Sequence, residues 1–346
     1  MTQHETPGRV AGDPPASVAR RTPDGVFHNP WPDSEPRGWR DVLRWAKERR
    51  TQTRVPTPGR GTFPIATPTI VYPRASTTAF TATWIGHATV LLQLGGLNVL
   101  TDPVFSQRAS PLQWVGPRRV MDPGLPLSAL PPVDVVLLSH NHYDHLDHPG
   151  LQRIVRAHPH AAWIGPLGLG AYIRRWGVRD SVELDWWQQV VVDGLRVTAT
   201  PARHFSGRRL RDRNRSLWCG FALDLGTKRA YFAGDTAYHP EFGAIGARCG
   251  PFAFVMIPIG AYDPRWFMGN VHADPEDAVR IYQDVVAPHA HQPLPVMLAI
   301  HWGTFRLTDE PMGEPPQRAV ARWRAVGLEA DRLWIARFGE TRALAR

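Results

Sequence analysis

Four side chains of metal-binding type fall within six residues, His140-Asn141-His142-Tyr143-Asp144-His145, one residue past the mostly apolar run 133–138. The run reads as a buried strand. A regular helix or strand cannot turn donors at this spacing toward one centre, whereas a loop at a strand end can. Neutral imidazole nitrogen and carboxylate oxygen hold zinc at about 2.0–2.2 Å, and the same donors accept iron or manganese. A chain carrying this loop must therefore place a strand end beside other donors that complete the site. It has no zinc-finger spacing among its two cysteines, Cys219 and Cys249, so any metal must use histidines and carboxylates.

Further donors recur at the ends of apolar runs. Residues 80–85 and 88–94 read as strands, Gly95-Gly96 as a turn and 97–100 as the partner strand, delivering Asp102. The run 195–200 leads to His204. A hairpin over 216–225 and 229–233 leads to Gly234-Asp235. The run 296–300 leads to His301. Helices are expected over 149–157, over 167–176 with Gly177 as C-cap, over 241–248, from Pro275 to 286 with Asp274 as N-cap, and over 315–326. A closing strand is expected over 333–338.

With these motifs the chain resembles the metallo-β-lactamase superfamily. The segments 29–32, 84–90, 100–106, 139–147, 264–268 and 299–305 further resemble the N-acylphosphatidylethanolamine-hydrolysing phospholipases D and their bacterial relatives. The resemblance implies an α/β fold, an αββα sandwich of two mixed β-sheets flanked by helices. It implies two zinc ions, with iron or manganese as alternatives. One would be held by His140, His142 and His204, the other by Asp144, His145 and His301, with Asp235 shared. It also implies that Asp102 accepts a hydrogen bond from a ligand histidine, fixing its tautomer. Asp144, Asp235 and His272 are then the catalytic candidates. The expected chemistry is attack by metal-activated hydroxide on the phosphodiester of an N-acylated aminophospholipid, releasing phosphatidic acid and an N-acylethanolamine. A lactonase or other carbonyl hydrolase, and a lipid-binding protein without turnover, are the alternatives. No Gly-x-Ser-x-Gly elbow offers a protein nucleophile.

Substrate contacts are expected from Trp266, Phe267 and Met268 as the lining of an acyl-chain groove. Arg208 and Arg209 are expected to form an anion-capturing patch, because the loop 203–215 holds six arginines against Asp212. The net charge of +9 rests almost wholly on arginine, Lys47 and Lys228 being the only lysines. It suits an anionic phospholipid and peripheral membrane contact. No nucleic-acid motif accompanies it, and a homodimer is left open. Two cysteines suit a reducing compartment. With no long apolar run and no signal-peptide pattern, the expected location is cytoplasmic, at most at the inner face of a membrane.

Three regions are expected along the chain. Residues 1–25 read as a disordered N-terminus, 26–78 as a helix and an extended linker on the core, and 79–346 as the hydrolase domain. In the helix over 37–50, Trp39, Val42, Leu43 and Ala46 share one face. That face is expected to pack on the core, with a role along an acyl path or membrane surface as the second reading.

Overall fold

The computed structural model describes residues 9–10, 20–51, 55–209 and 211–344. Alternating apolar residues build two sheets. In the first the strand order is Arg9–Val10, Gln189–Val192, Leu195–Thr200, Gly220–Leu225, Lys228–Phe232, Phe254–Pro258, Val296–Ile300 and Leu333–Trp334. In the second it is Thr341–Ala343, Phe80–Gly86, Thr89–Leu94, Leu97–Thr101, Val135–Leu137, Ala162–Pro166 and Ser181–Leu184. Both are mixed, with antiparallel hairpins on one side and parallel strands on the other. Seven α-helices complete the described fold: α1 (Trp39–Thr51), α2 (His148–Ala157), α3 (Gly170–Ile173), α4 (Phe242–Cys249), α5 (Arg265–Met268), α6 (Pro275–Val286) and α7 (Glu314–Ala325).

Strand alternation divides the core. Val90, Leu92, Val135 and Leu137 join the cluster that also holds Val197, Phe221, Leu223 and Met256 of the facing sheet, whereas Leu91, Val136 and Leu138 join Leu151 and Ile154 of α2. Each such side chain contributes about 1.5–3 kcal/mol by leaving water. The strand before the metal loop is thus anchored on both faces. This is the αββα sandwich expected of the sequence.

Several boundaries differ. The 167–176 helix is one α-turn followed by a 3-10 turn, Arg174–Trp176, closed by Gly177 at φ +104°. The closing strand stops at Trp334. The chain then crosses between the sheets and adds Thr341–Ala343 beside Phe80–Gly86, an edge strand absent from the sequence reading. The disorder expected over 1–25 falls largely on residues 1–8 and 11–19, outside the described residues. Within that span the described residues are ordered instead: Arg9–Val10 pairs with Gln189–Val192, and Arg20–Arg21 forms a hairpin with Phe27–His28. There the Thr22 hydroxyl accepts from the Val26 amide at 3.1 Å, and Gly25 supplies φ +83°.

Helix α1 reverses the expected orientation. Trp39, Val42 and Leu43 are 67, 46 and 59% exposed. The inward face carries Trp45, Glu48 and Arg49 instead. The Trp45 ring stacks on Phe267 at 4.9 Å and its indole N–H bonds Asp309. Arg49 pairs with Asp309 at 2.8 Å, and Glu48 accepts from the Trp266 indole at 3.1 Å. Polar partners on α5 and near Asp309, all distant in sequence, decide which face turns in.

Candidate metal centre

Each donor is delivered by a strand end. The loop after Val135–Leu137 turns back on itself, with the His145 and Leu146 amides donating to the His142 carbonyl. Asp235 approaches because residue 234 is glycine at φ +61°. A Cβ there would lie 2.8 Å from the Cys219 carbonyl oxygen and 2.9 Å from the Ser139 side chain. His301 arrives at the end of Val296–Ile300 with φ +64°, a left-handed backbone held by the bond from its amide to the His87 carbonyl at 3.1 Å. Left-handed non-glycine residues store strain of about 1–3 kcal/mol and collect at functional sites.

The donors form two groups. His142 Nδ1 lies 2.9 Å from His140 Nε2 and 3.1 Å from His204 Nε2. His301 Nε2 lies 3.1 Å from His145 Nε2, and Asp144 Oδ2 lies 3.5 and 3.4 Å from these two nitrogens. Asp235 Oδ2 faces both groups, 3.0 and 3.1 Å from His145 and His301 and 3.8 Å from His140 and from His204. Its Oδ1 is buried without a hydrogen-bond partner.

Charge is distributed unevenly. Burial and neighbouring imidazoles push His140 well down and His142 to about 3, and burial holds His204 at about 4. These three are neutral, which is the form that ligates metal. Burial also opposes charge on His145 and His301, but Asp235 and Asp144 overcome it. His145 is raised well above its ordinary value and His301 to about 9. Asp144 and Asp235 are in turn held well below the usual carboxylate range: burial opposes this, and the facing His145 and His301 outweigh it.

These residues fit metal ions. Donors about 2.0–2.1 Å from a shared tetrahedral ion stand about 3.3 Å apart, close to the nitrogen separations within each group. Buried imidazole nitrogens face one another around Asp235 Oδ2, and Asp235 Oδ1 is left without a hydrogen-bond partner, an arrangement that cations would satisfy.

A family profile described as "Beta-lactamase superfamily domain" matches residues 97–302. The chain belongs to the beta-lactamase superfamily. It is a metal-dependent hydrolase of the metallo-β-lactamase fold. It is similar to the uncharacterized protein Rv0906 of Mycobacterium tuberculosis, 42% identical over 92% of this chain and 85% of that protein. It is also similar to N-acyl-phosphatidylethanolamine-hydrolyzing phospholipase D 1 of Caenorhabditis elegans, 40% identical over 67% of this chain and 65% of that protein. Among solved structures it shares its fold with the metallo hydrolase Igni18 of Ignicoccus hospitalis, at 19% identity and TM-score 0.56, over 78% of this chain and 100% of that one.

Around the donors of this superfamily member, Asp102 is fully buried and accepts from His145 Nδ1 at 2.7 Å, which leaves His145 Nε2 toward the site. The Ser139 amide and hydroxyl also donate to Asp102, at 2.7 and 2.5 Å. His204 Nδ1 donates to the Val271 carbonyl at 2.8 Å, freeing its Nε2 in the same way. His272 is buried, its Nδ1 4.0 Å from Asp235 Oδ2 and without a hydrogen-bond partner. His87, to which the sequence reading gave no role, places Nε2 2.9 Å from Asp144 Oδ2. Its signals are its place in the turn of a strand hairpin next to the Asp102 strand and its position within the segment 84–90.

The expected substrate residues are placed otherwise. Arg208 turns inward. Its guanidinium donates to the Asn141 and Leu146 carbonyls at 2.8 and 2.7 Å and lies over the Tyr143 ring at 4.0 Å, and burial lowers its pKa to about 10. Arg208 thus braces the metal loop, a correction to its expected place in an anion-capturing patch, because the turned-back loop gathers carbonyls that one guanidinium reaches together. Arg209 is exposed. Trp266 and Phe267 contact α1, with Arg44 over Trp266 at 4.1 Å, while the Met268 carbonyl accepts from the His272 amide at 2.9 Å. Arg208→Gln should lower stability by about 1–3 kcal/mol through unsatisfied carbonyls, whereas Arg209→Gln should stay within about 0.5 kcal/mol. Thermal denaturation of both variants checks this; equal effects contradict the bracing role.

Proposed function

We propose that the chain is a dinuclear zinc phosphodiesterase that cleaves N-acylphosphatidylethanolamine-like phospholipids to phosphatidic acid and an N-acylethanolamine. The observation that carries the dinuclear reading is Asp235 Oδ2, set within 3.0–3.8 Å of four imidazole nitrogens from both groups. The choice of phosphodiester is supported by the Caenorhabditis elegans relative and by the mitochondrial N-acyl-phosphatidylethanolamine-hydrolyzing phospholipase D of Saccharomyces cerevisiae, 34% identical over 75% of this chain and 55% of that protein.

In this reading His140, His142 and His204 hold one cation, Asp144, His145 and His301 the other, and Asp235 both. Such a pair supplies Lewis acidity toward a phosphoryl oxygen and a water ionised near neutral pH. The remaining work falls to the chain. Asp102 and the Val271 carbonyl hold His145 and His204 in the tautomers that present Nε2. The two anionic carboxylates, Asp144 and Asp235, leave the centre with residual positive charge for an anionic substrate. His272, neutral through burial and with Nδ1 unpartnered beside Asp235, is placed to exchange a proton with a reacting oxygen.

Presentation at a lipid surface is supported by α1. Its outward Trp39, Val42 and Leu43 lie beside the exposed Arg40, Lys47 and Arg50, a pairing suited to the interface of an anionic bilayer. Among the described residues no helix is long and apolar enough to cross a membrane. The test gives metal-loaded protein a bis-aryl phosphodiester, an N-acyl phospholipid in anionic vesicles and a homoserine lactone. Release of N-acylethanolamine supports the proposal, and ring opening alone replaces it with a lactonase. Trp39→Ser with Leu43→Ser should weaken vesicle turnover by about tenfold or more, each buried apolar side chain contributing about 1.5–3 kcal/mol, and leave the soluble diester unaffected. Equal loss on both substrates removes the membrane-facing role of α1.

A further inference from the structure

The second donor group contains one imidazole more than a shared centre of two cations requires. His87 sits in the turn between Phe80–Gly86 and Thr89–Leu94 with φ +54°. Its backbone is tied down: the His87 carbonyl accepts from the Trp84 indole at 3.0 Å and from the His301 amide at 3.1 Å. Gly86 lets Phe338 close over the turn, since a Cβ there would meet that ring at 2.9 Å. The residue is 1% exposed. Its ring lies over His301 at 4.0 Å between centroids and stands edge-on to Phe305 at 5.3 Å, so neighbours restrict its rotation.

The hydrogen bond defines its chemistry. A carboxylate oxygen only accepts, so His87 Nε2 donates to Asp144 Oδ2 across 2.9 Å. The proton is then on Nε2, and Nδ1 is bare, buried and unpartnered. Asp144 Oδ2 has two lone pairs. One takes the His87 proton, and the other is available between His145 Nε2 and His301 Nε2, at 3.5 and 3.4 Å. A nitrogen that carries a proton cannot ligate, so His87 is separated from the donors around it by its tautomer.

We infer that His87 is a positioning residue: its Nε2–H fixes the Asp144 carboxylate and so sets the affinity of the cation position formed by Asp144, His145 and His301, without ligating. The inference rests on the dinuclear reading. Removing the donor frees the Asp144 carboxylate to rotate, while His140, His142 and His204 keep their contacts. The two positions therefore respond unequally.

The experiment titrates metal-stripped protein with Co2+ against a chromophoric chelator and follows the visible ligand-field bands. His87→Phe keeps an aromatic ring without a donor; His87→Gln keeps an N–H near the position of Nε2 and is a poor ligand. In His87→Phe the second equivalent should weaken about 10–100-fold, the cost of losing an outer partner of a ligand, with its bands altered. The first equivalent should stay within about threefold, and His87→Gln should restore the second to within about threefold, by the same outer-partner scale. His87→Ala repeats the measurement should the phenylalanine variant melt early. A second equivalent unchanged in both donorless variants overturns the inference. So does a glutamine variant as weak as phenylalanine, which would make His87 a ligand, and so does equal weakening of both equivalents. A wild-type protein that takes up only one equivalent overturns the dinuclear reading itself, and this inference falls with it.

Discussion

Asp235→Asn is expected to lower turnover of a simple phosphodiester by more than about 100-fold, exceeding the 10–100-fold cost of disturbing an outer partner of a metal site. It should also reduce metal uptake from two equivalents toward one. Asp235 Oδ2 is the atom that faces both donor groups. The amide removes a buried negative charge opposite His145 and His301, and breaking a buried charge pair by deleting one partner is strongly destabilising, by about 3–5 kcal/mol. Asp144→Asn provides the contrast, because Asp144 contacts only the His145 and His301 side of the centre among these donors. It should disturb the second equivalent and spare the first. Elemental analysis of the purified variants, paired with turnover of a bis-aryl diester, decides the matter. Two retained equivalents in Asp235→Asn, with activity within about tenfold of wild type on that same scale, would contradict the shared role.

Metal loading at pH 7 is expected to release about three protons per protein, two from ligands, which must be deprotonated to bind, and one from the water that the metals would ionise. The source of the ligand protons is specific. His145 and His301 are charged in the metal-free protein because Asp235 and Asp144 outweigh the burial that opposes charge, raising His301 to about 9. His140, His142 and His204 release none, being already neutral through burial and mutual crowding. Calorimetry in buffers of different ionisation enthalpy counts the protons; about one or fewer would show that His145 and His301 were never charged.

The same shifts set the pH profile of the metal-free protein. Histidines raised by folding, His145 and His301, contribute stability that is full below the ordinary value of 6.5 and is lost as pH climbs toward 9 for His301. Histidines lowered by folding act oppositely. His87 and His142, near 3, and His204, near 4, withdraw stability as pH falls from 6.5 toward those values. The metal-free melting temperature should therefore peak at about pH 6.5–7 and fall on either side. The metal-loaded protein should lose the alkaline fall, because its histidines no longer hold protons to give up.

Much of the centre was readable because its donors follow apolar runs. His140, His142, Asp144 and His145 follow a strand fixed on both faces, and His204, Asp235 and His301 follow strands that end at the same edge of the sandwich. Burial of alternate residues fixes strands, and strands fix where their ends lie. Side-chain direction outside the strands was less readable. The apolar spacing of Trp39, Val42 and Leu43 pointed α1 inward, but Trp45, Glu48 and Arg49 found partners in Phe267, Trp266 and Asp309, more than two hundred residues away. Arg208 looked like part of an exposed cationic loop, yet the carbonyls of the metal loop draw it in. No local pattern contains those partners.

By itself the sequence determined most strands and helices and the kind and order of the donors, because these follow from hydrophobic periodicity and from residue chemistry along a line, while the two-sheet sandwich was implied by the resemblance those motifs carry. Tertiary structure alone decided the rest: which imidazoles face which, that one oxygen of Asp235 serves both groups, that Asp102 and the Val271 carbonyl set two tautomers, and that His87 holds Asp144. Those are relations between atoms a few ångströms apart yet distant along the chain, as between His145 and His301, 156 residues from each other. Hydrogen bonding and Coulomb attraction depend on that separation in space, which only the packed fold supplies.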